Sequence, residues 1–300
     1  GEQVGATNFT LAHDTLLHRK LNAQYTVRAC SASACGPDSS AIQPDAARAI
    51  GYFKASNTAI NFGFAFGYSV SISNDGLTMA VGAPSENGSG KGVNDEGNQN
   101  NPVYGYSGAV YVFTRDGPTW VQQAYIKPHN REFGDGFGHA VALSPDGNTL
   151  VVGAPFEDSN YAGVTPASSP DDDNAVDAGA AYVFARSGAG WTQQAYIKAS
   201  NPGVKNLFGY SVSLSGDGNT LAVGALGVDS VPTDDASDFV GAVYLFSRSN
   251  TEWEQMAQLQ ASNPRNRHHF SYALSLSRDG KTMAVSAQHD HSAATGTSGD

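Results

Sequence analysis

The chain has 300 residues, of which 40% are hydrophobic, 10% aromatic and only 15% charged, with 34 glycines and 13 prolines. This composition is typical of an all-β protein rich in turns and argues against a helical one. The formal net charge of −11 argues against a nucleic-acid partner or an anionic membrane surface, and no apolar run is long enough to span a bilayer.

The first segment, residues 1–46, does not share the pattern of the rest of the chain. Tyr25, Val27 and Ala29 alternate with polar residues, which predicts a strand with one apolar face. Residues 39–42 are expected to form its antiparallel partner. A short linker follows, and we place the second domain at residues 50–300.

The run Tyr25-Thr26-Val27-Arg28-Ala29-Cys30 resembles the penultimate strand of fibronectin type III domains. Leu21, four residues before Tyr25, resembles the approach to the tyrosine corner of immunoglobulin-like sandwiches. The resemblance implies that residues 1–46 are the C-terminal part of a fibronectin type III-like domain, a partial β-sandwich.

The two cysteines of the chain, Cys30 and Cys35, lie in this segment. Four intervening residues allow the ends of two paired strands to face each other, so we predict a local disulfide across a hairpin. An even, small cysteine number suits an oxidising compartment, and the alternative is a pair of buried thiols in a cytosolic protein.

Residues 50–300 carry four copies of one pattern, Phe-Gly-x-Ser-Val followed by Val-Gly-Ala-Pro. In the first copy Val70 and Ile72 alternate with serines, which predicts a half-buried strand. Asp75-Gly76 then predicts a tight turn, and Thr78–Ala83, apolar on both faces, predicts a strand covered on both sides. The four copies cover residues 66–84, 137–155, 208–226 and 270–288.

Two further strands are predicted around each copy. One is the phrase Tyr52–Asn57, which returns at residues 125–130 and 196–201 and more loosely at 259–263. The other is Gly108–Phe113, with equivalents at residues 179–184 and 241–246, each joined by a hairpin to a tryptophan. Four short antiparallel strands that recur as a unit are typical of β-propeller blades, which stack on their neighbours.

Phe-Gly-x-Ser-Val … Val-Gly-Ala-Pro resembles the FG-GAP repeat of integrin α-chain β-propellers and of many bacterial secreted proteins. The resemblance covers about residues 50–300 and implies an all-β propeller of four-stranded antiparallel blades. Three strand sets and half of a fourth are expected in this fragment, which leaves the ring incomplete. The fourth copy departs from the pattern, because Ser271 replaces the glycine after Phe270.

Integrin-type repeats hold Ca²⁺ in a loop of several carboxylates between the first two strands. Here that loop is reduced to residues 73–78 and its equivalents, with one carboxylate, Asp75, in the first copy. One carboxylate does not surround a calcium ion. We therefore predict that the aspartate caps its own turn through its side chain.

Acidic residues collect instead in the long loops between the second strand and the Gly-Ala strand. Loops of this length are usually functional or disordered, so they are the first candidates for ligand contacts. Four of these residues are also candidate Ca²⁺ ligands, with solvated acidic loops as the alternative: Asp171, Asp172, Asp173 and Asp177. The full candidate binding set adds Glu157, Asp158, Asp234 and Asp235.

These observations favour a secreted or cell-surface binding or adhesion module that recognises a protein or glycan ligand and catalyses no reaction. A propeller-borne carbohydrate-active enzyme is one alternative, although the strand positions carry serine, valine, isoleucine and alanine rather than matched carboxylates. A structural spacer within a large surface protein is the other.

Overall fold

The computed structural model describes residues 28–30, 35–38, 52–57, 65–95, 105–117, 119–166, 172–228, 239–264 and 267–288. The chain divides into two compact units, residues 1–53 and 54–300, and the predicted domain boundary at residues 46–50 lies close to this division. All regular elements within the described ranges are β-strands, so the predicted all-β class is confirmed.

The first unit contains one described hairpin. Strands β1 (Arg28–Cys30) and β2 (Cys35–Asp38) pair antiparallel, with Cys30 opposite Cys35. The strand that pairs with β1 thus begins earlier than expected, and residues 39–42 lie outside the described residues. This register suits a disulfide. The disulfide and the fibronectin type III-like domain both stay predictions.

The second unit contains four copies of one strand pattern, which we number repeats 1 to 4. Repeat 1 comprises β3 (Ser69–Ile72), β4 (Thr78–Ala83), β5 (Ala109–Asp116) and β6 (Thr119–Ile126); repeat 2 comprises β7 (Ala140–Leu143), β8 (Thr149–Ala154), β9 (Val164–Pro166), β10 (Ala180–Ser187) and β11 (Gly190–Ile197). Repeat 3 comprises β12 (Phe208–Leu214), β13 (Thr220–Ala225), β14 (Ala242–Ser249) and β15 (Glu252–Leu259); repeat 4 comprises β16 (Phe270–Leu276) and β17 (Met283–Ala287).

Each repeat forms its own antiparallel sheet. The sheets of repeats 1 and 3 have four strands in chain order, and repeat 4 contributes the pair β16-β17. In repeat 2 the short β9 adds a fifth strand against β11, giving the order β7-β8-β10-β11-β9. These four- and five-stranded antiparallel sheets agree with the predicted propeller blades.

The fourth strand differs from its predicted bounds. Residues 52–57 were expected to form a strand but are irregular, and the equivalent strands β6 and β11 end at Ile126 and Ile197. The lysine that follows each isoleucine lies outside the strand, and its side chain forms a buried ion pair with a glutamate. Lys127 binds Glu86 in this way.

The aspartate of each Asp-Gly turn caps the turn, as predicted. Asp75 Oδ1 accepts hydrogen bonds from Ser73 Oγ at 2.5 Å and from the Leu77 amide at 2.9 Å. Ser73 Oγ in turn accepts a bond from the Thr78 amide. The same set of bonds recurs at Asp146, Asp217 and Asp279.

Successive repeats pack through their glycines. A Cβ atom built on Gly82 would lie 2.0 Å from the carbonyl oxygen of Gly138, and one on Gly153 would lie 1.9 Å from that of Gly209. In repeat 4, Ser271 adopts a φ of 80°, and a Cβ on Gly224 would lie 2.8 Å from its carbonyl oxygen. The contact therefore persists in repeat 4 but is looser, because a side chain occupies the glycine position.

The hydrophobic core lies between the sheets rather than within any one of them. One cluster joins Val110, Val112 and Ile126 of repeat 1 to Phe137 and Tyr182 of repeat 2. A second cluster joins repeats 2 and 3 in the same way. Each blade is thus stabilised by its neighbours, as expected of stacked repeats.

Candidate ligand-binding rim

The acidic loops lie at one edge of the sheets, together with the segments that follow the fourth strands. Because the strands alternate in direction, the loops after the second strands and the segments after the fourth strands emerge at the same edge. Backbone hydrogen bonds join them: the Gly134 amide donates to Gly105, and the Gly136 amide donates to Tyr106. We call this edge the rim; the Asp-Gly turns lie at the opposite edge.

Glu157, a predicted ligand-binding residue of the rim, lies in the blade interior. It is 3% exposed, and its Oε2 lies 2.5 Å from Lys198 Nζ. Its Oε1 accepts bonds from Tyr196 Oη at 2.7 Å and from Asn130 Nδ2 at 3.0 Å. The expectation that this carboxylate faces a partner is corrected, because the fold itself uses both of its oxygens.

Asp158, Asp172 and Asp177 organise the long loop of repeat 2. Asp158 Oδ1 accepts the Asp177 amide at 2.7 Å, and Asp172 accepts Ser159 Oγ at 2.8 Å. Burial, followed by the charge of Asp158, raises the pKa of Asp177, which has a positive φ of 56°. Asp173 is exposed. Three predicted members, Asp171, Asp234 and Asp235, lie outside the described residues.

Two acidic residues outside the predicted binding set join this group. Glu132 and Asp135 line a small depression together with Asn130, Glu157, Asp158, Asp172 and Asp173. Asp135 is 2% exposed, and burial, with the charges of Glu157, Glu132 and Asp158 adding to it, raises its pKa to about 8. The amide of Glu132, which donates to Asp135 Oδ2 at 2.7 Å, opposes that shift.

The predicted metal site receives no support from this geometry. Within the part of the chain that the structure describes, no three His, Cys, Asp or Glu side chains are arranged to hold a metal ion. Asp171 lies outside that part, so calcium binding by Asp171, Asp172, Asp173 and Asp177 stays a prediction.

A pocket lined by aromatic rings opens beside the depression, between repeats 1 and 2. Its volume is about 260 Å³. Tyr68 and Tyr106 from repeat 1 and His139 and Phe156 from repeat 2 supply its rings; Ala65, Pro84, Ser85, Gly134 and Gly136 complete the lining. Among the described residues that line it, none carries a carboxylate. We call it the aromatic pocket.

His139 belongs to a row of rings with one member from each repeat. Ring centroids lie 4.9 Å apart between Tyr68 and His139, 4.5 Å between His139 and Tyr210, and 5.5 Å between Tyr210 and Tyr272. His139 Nδ1 lies 3.1 Å from the Tyr210 carbonyl oxygen, and Nε2 lies 3.1 Å from Tyr68 Oη. A neutral ring protonated on Nδ1 satisfies both bonds, and burial lowers the pKa of His139.

The sequence does contain a signal for this row of rings. The position after each Phe-Gly or Phe-Ser is aromatic in all four copies, namely Tyr68, His139, Tyr210 and Tyr272. Tyr106 and Phe156 lie in the long loops, where the repeat pattern gives no indication of their direction.

Residues 120–184 and 191–246 match the FG-GAP repeat family. No curated protein matches the chain at a significant level. These two stretches are therefore similar to FG-GAP repeats, and they lie in the antiparallel sheets of repeats 1 to 3. Among the residues that the structure describes, no helix is long and apolar enough to cross a membrane.

Proposed function

We propose that this protein is a non-catalytic binding module of a secreted or cell-surface protein, and that its ligand is a glycan bound at the rim. The single observation that carries the proposal is the aromatic pocket between repeats 1 and 2. FG-GAP repeats are frequent in extracellular and adhesion-type proteins, which supports the same reading.

The chemistry of the pocket suits an uncharged sugar ring. Exposed aromatic rings stack on the C–H faces of pyranoses, and Tyr68 and Tyr106 are 56% and 46% exposed. Tyrosine also offers a hydroxyl that can exchange hydrogen bonds with the sugar. A volume of about 260 Å³ is close to the lower end of ordinary ligand pockets, which suits one ring rather than a large ligand.

The scaffold supports this role because the two repeats that form the pocket are closely packed. A Cβ atom built on Gly82 of repeat 1 would lie 2.0 Å from the carbonyl oxygen of Gly138 in repeat 2. The acidic depression next to the pocket supplies hydrogen-bond acceptors for hydroxyl groups of a longer glycan. Asp172 and Asp173 are the members of the predicted set best placed for this.

A glycoside hydrolase would need a different arrangement of carboxyl groups in the aromatic pocket. Glycoside hydrolysis uses two carboxyl groups on either side of the scissile bond. The described lining of the aromatic pocket holds none, and Glu157 is engaged with Lys198. A spacer protein needs no pocket of this kind, so ligand binding distinguishes it from a binding module.

A glycan array probed with the purified chain tests the proposal. We expect binding to uncharged glycans that Tyr68→Ala and Phe156→Ala each reduce at least tenfold. Tyr52→Ala is the control, because this ring is 86% exposed and lies outside the pocket. Binding that the pocket variants leave unchanged, or hydrolysis of an arrayed glycan, would overturn the proposal.

A further inference from the structure

Repeats 1 and 2 each bury one lysine, one glutamate and one asparagine together. In repeat 1, Glu86 Oε2 lies 2.5 Å from Lys127 Nζ, and Glu86 Oε1 accepts Asn57 Nδ2 at 2.7 Å. Tyr111 Oη donates to Asn57 Oδ1. Glu86 and Lys127 are fully buried, and Asn57 is 2% exposed.

Repeat 2 repeats this arrangement. Glu157 Oε2 lies 2.5 Å from Lys198 Nζ, and Glu157 Oε1 accepts Asn130 Nδ2 at 3.0 Å. Tyr182 Oη donates to Asn130 Oδ1 at 2.9 Å. One carboxylate therefore bridges an amine and a carboxamide in each repeat, and a phenol binds the carboxamide oxygen.

Repeat 3 lacks two members of the set at once. Val228 stands at the position of the glutamate and Gln260 at that of the lysine. Asn201 and Tyr244 remain, with Tyr244 Oη donating to Asn201 Oδ1 at 2.8 Å. The asparagine and tyrosine thus fit a blade without the other two, whereas the glutamate and the lysine are present or absent together.

We propose that an isopeptide bond forms spontaneously between the side chains of Lys127 and Asn57 in repeat 1, with Glu86 as the catalytic residue. In repeat 2 the same bond forms between Lys198 and Asn130, with Glu157 as the catalytic residue. Three features of the sites favour amide formation: the reactants are held by one carboxylate, water is excluded, and a hydrogen-bond donor binds the oxygen on which negative charge develops.

The reaction in repeat 1 balances without any co-reactant. Burial lowers the pKa of Lys127, with Glu86 opposing this shift. In the first step the Lys127 ammonium passes a proton to Glu86, whose Oε2 lies 2.5 Å from Lys127 Nζ. The neutral Lys127 Nζ then attacks Asn57 Cγ, and Tyr111 Oη stabilises the developing oxyanion. The Cγ–Nδ2 bond breaks as Glu86 returns its proton to Nδ2, which leaves as ammonia. Glu86 takes the second Lys127 proton and ends protonated beside the new amide.

The bonds would close repeats 1 and 2 covalently. Asn57 precedes the first strand of repeat 1 and Lys127 follows its last strand, so one bond encloses the whole repeat. Asn130, only three positions after Lys127, begins the next enclosed loop. Closing long loops removes conformational freedom from the unfolded chain, and tension along the chain would bypass the enclosed strands.

Intact mass spectrometry of the reduced, denatured full chain tests the proposal. We expect a mass lower than that of the sequence by two ammonias, and proteolytic peptides that join residue 57 to 127 and residue 130 to 198. Lys127→Arg keeps the charge beside Glu86 but removes the nucleophile, so its deficit should fall to one ammonia. Glu86→Gln should do the same. The bond of repeat 2 in the same molecules then reports that the chain has folded.

Repeat 3 allows a gain-of-function test. The double variant Val228→Glu and Gln260→Lys completes the set around Asn201 and Tyr244, and a third ammonia should be lost. A wild-type mass equal to the sequence mass would overturn the proposal. So would ammonia loss that maps to other residues.

Discussion

The carbonyl oxygen of Gly209 lies so close to Gly153 that a Cβ atom built on Gly153 would be 1.9 Å from it. This contact sets the separation of repeats 2 and 3 at their inner strands. The equivalent position in repeat 3, Gly224, faces Ser271, where the distance from a built Cβ to the carbonyl oxygen is 2.8 Å.

We therefore expect Gly153→Ala to be strongly destabilising. Gly224→Ala should be milder, because the atom closest to a Cβ there is the side-chain oxygen of Ser211 at 2.3 Å, which can rotate away without a backbone shift. The backbone of Gly209 must move to admit the first methyl group, and such overpacking costs about 1 to 3 kcal/mol. Chemical denaturation of both variants measures the difference. Equal losses of unfolding free energy would contradict the role assigned to the glycine contact.

A second tie between repeats runs through one glutamine. Gln123 Oε1 accepts Trp191 Nε1 at 3.0 Å and lies 3.5 Å from a guanidinium nitrogen of Arg186, whose Cζ is 5.7 Å from the Trp191 ring centroid. Gln194 makes the same contacts with Trp253 and Arg248.

Gln123→Leu should lower the unfolding free energy by about 1 to 3 kcal/mol, because Trp191 is 3% exposed and its N–H would lose its acceptor. Met256 is the matched control. It occupies the equivalent position in repeat 3 and is 65% exposed, so Met256→Leu should change stability by less than about 0.5 kcal/mol. If the Gln123 variant is as stable as this control, Gln123 does not stabilise the contact between repeats 1 and 2.

The Asp-Gly turns make the fold sensitive to acid. The hydrogen bond from Ser215, followed by the Asn219 amide, lowers the pKa of Asp217 below its ordinary value of 3.8, and the same causes act on Asp75 and Asp279. A carboxyl group whose pKa is lower in the folded state stabilises the fold above the unfolded value. That stability is lost as the pH falls through the folded value.

Unfolding free energies measured from a pH of about 6 down to about 2 should thus fall below pH 3.8 more steeply for the wild type than for Asp217→Asn. The asparagine keeps an acceptor oxygen for Ser215 and Asn219 but does not titrate. Identical pH profiles would show that this turn does not contribute to the acid response.

Asp135 acts in the opposite direction. Its pKa is raised to about 8, mainly by burial, so the folded state binds a proton that the unfolded state has released at neutral pH. The cost to stability grows as the pH rises from 3.8 towards 8 and then levels off. Asp135→Asn should raise the unfolding free energy at neutral pH by about 1 kcal/mol or more.

The gain from Asp135→Asn should shrink when the same pair is measured near pH 4, and the exposed Asp173→Asn should show no such gain. A loss of stability at neutral pH would contradict this expectation. It would mean that Asp135 is charged in the folded protein and that a positive charge in the acidic depression, such as a bound cation, stabilises it.

The fold could be predicted from the sequence because it is repeated. Four aligned copies fix the alternation of Val70 and Ile72, the turn at Asp75-Gly76 and the covered second strand independently of one another. Where the pattern is not local, prediction was less accurate. The sequence predicts a strand at Tyr52–Asn57 because nothing in these residues shows that Asn57 binds Glu86, which lies in a later loop.

The candidate site was harder to predict for the same reason, because it depends on contacts between residues that are distant along the chain. Glu157 stands among loop carboxylates in the sequence, and its partner Lys198 is distant along the chain, so its burial was not predictable. Asp135 lies in a glycine-rich segment that gives no sign of its neighbours. The aromatic pocket requires two repeats to meet, and a pattern read within one repeat cannot show which rings face each other across that contact.

Hydroxyl-radical footprinting, with and without the strongest glycan from the array, tests the binding site most directly. We predict protection of Tyr68, Tyr106 and Phe156, and no change at Met256, which is exposed outside the pocket. Protection confined to the loop around residues 172–177, or a glycan that binds without protecting any ring of the aromatic pocket, would contradict it.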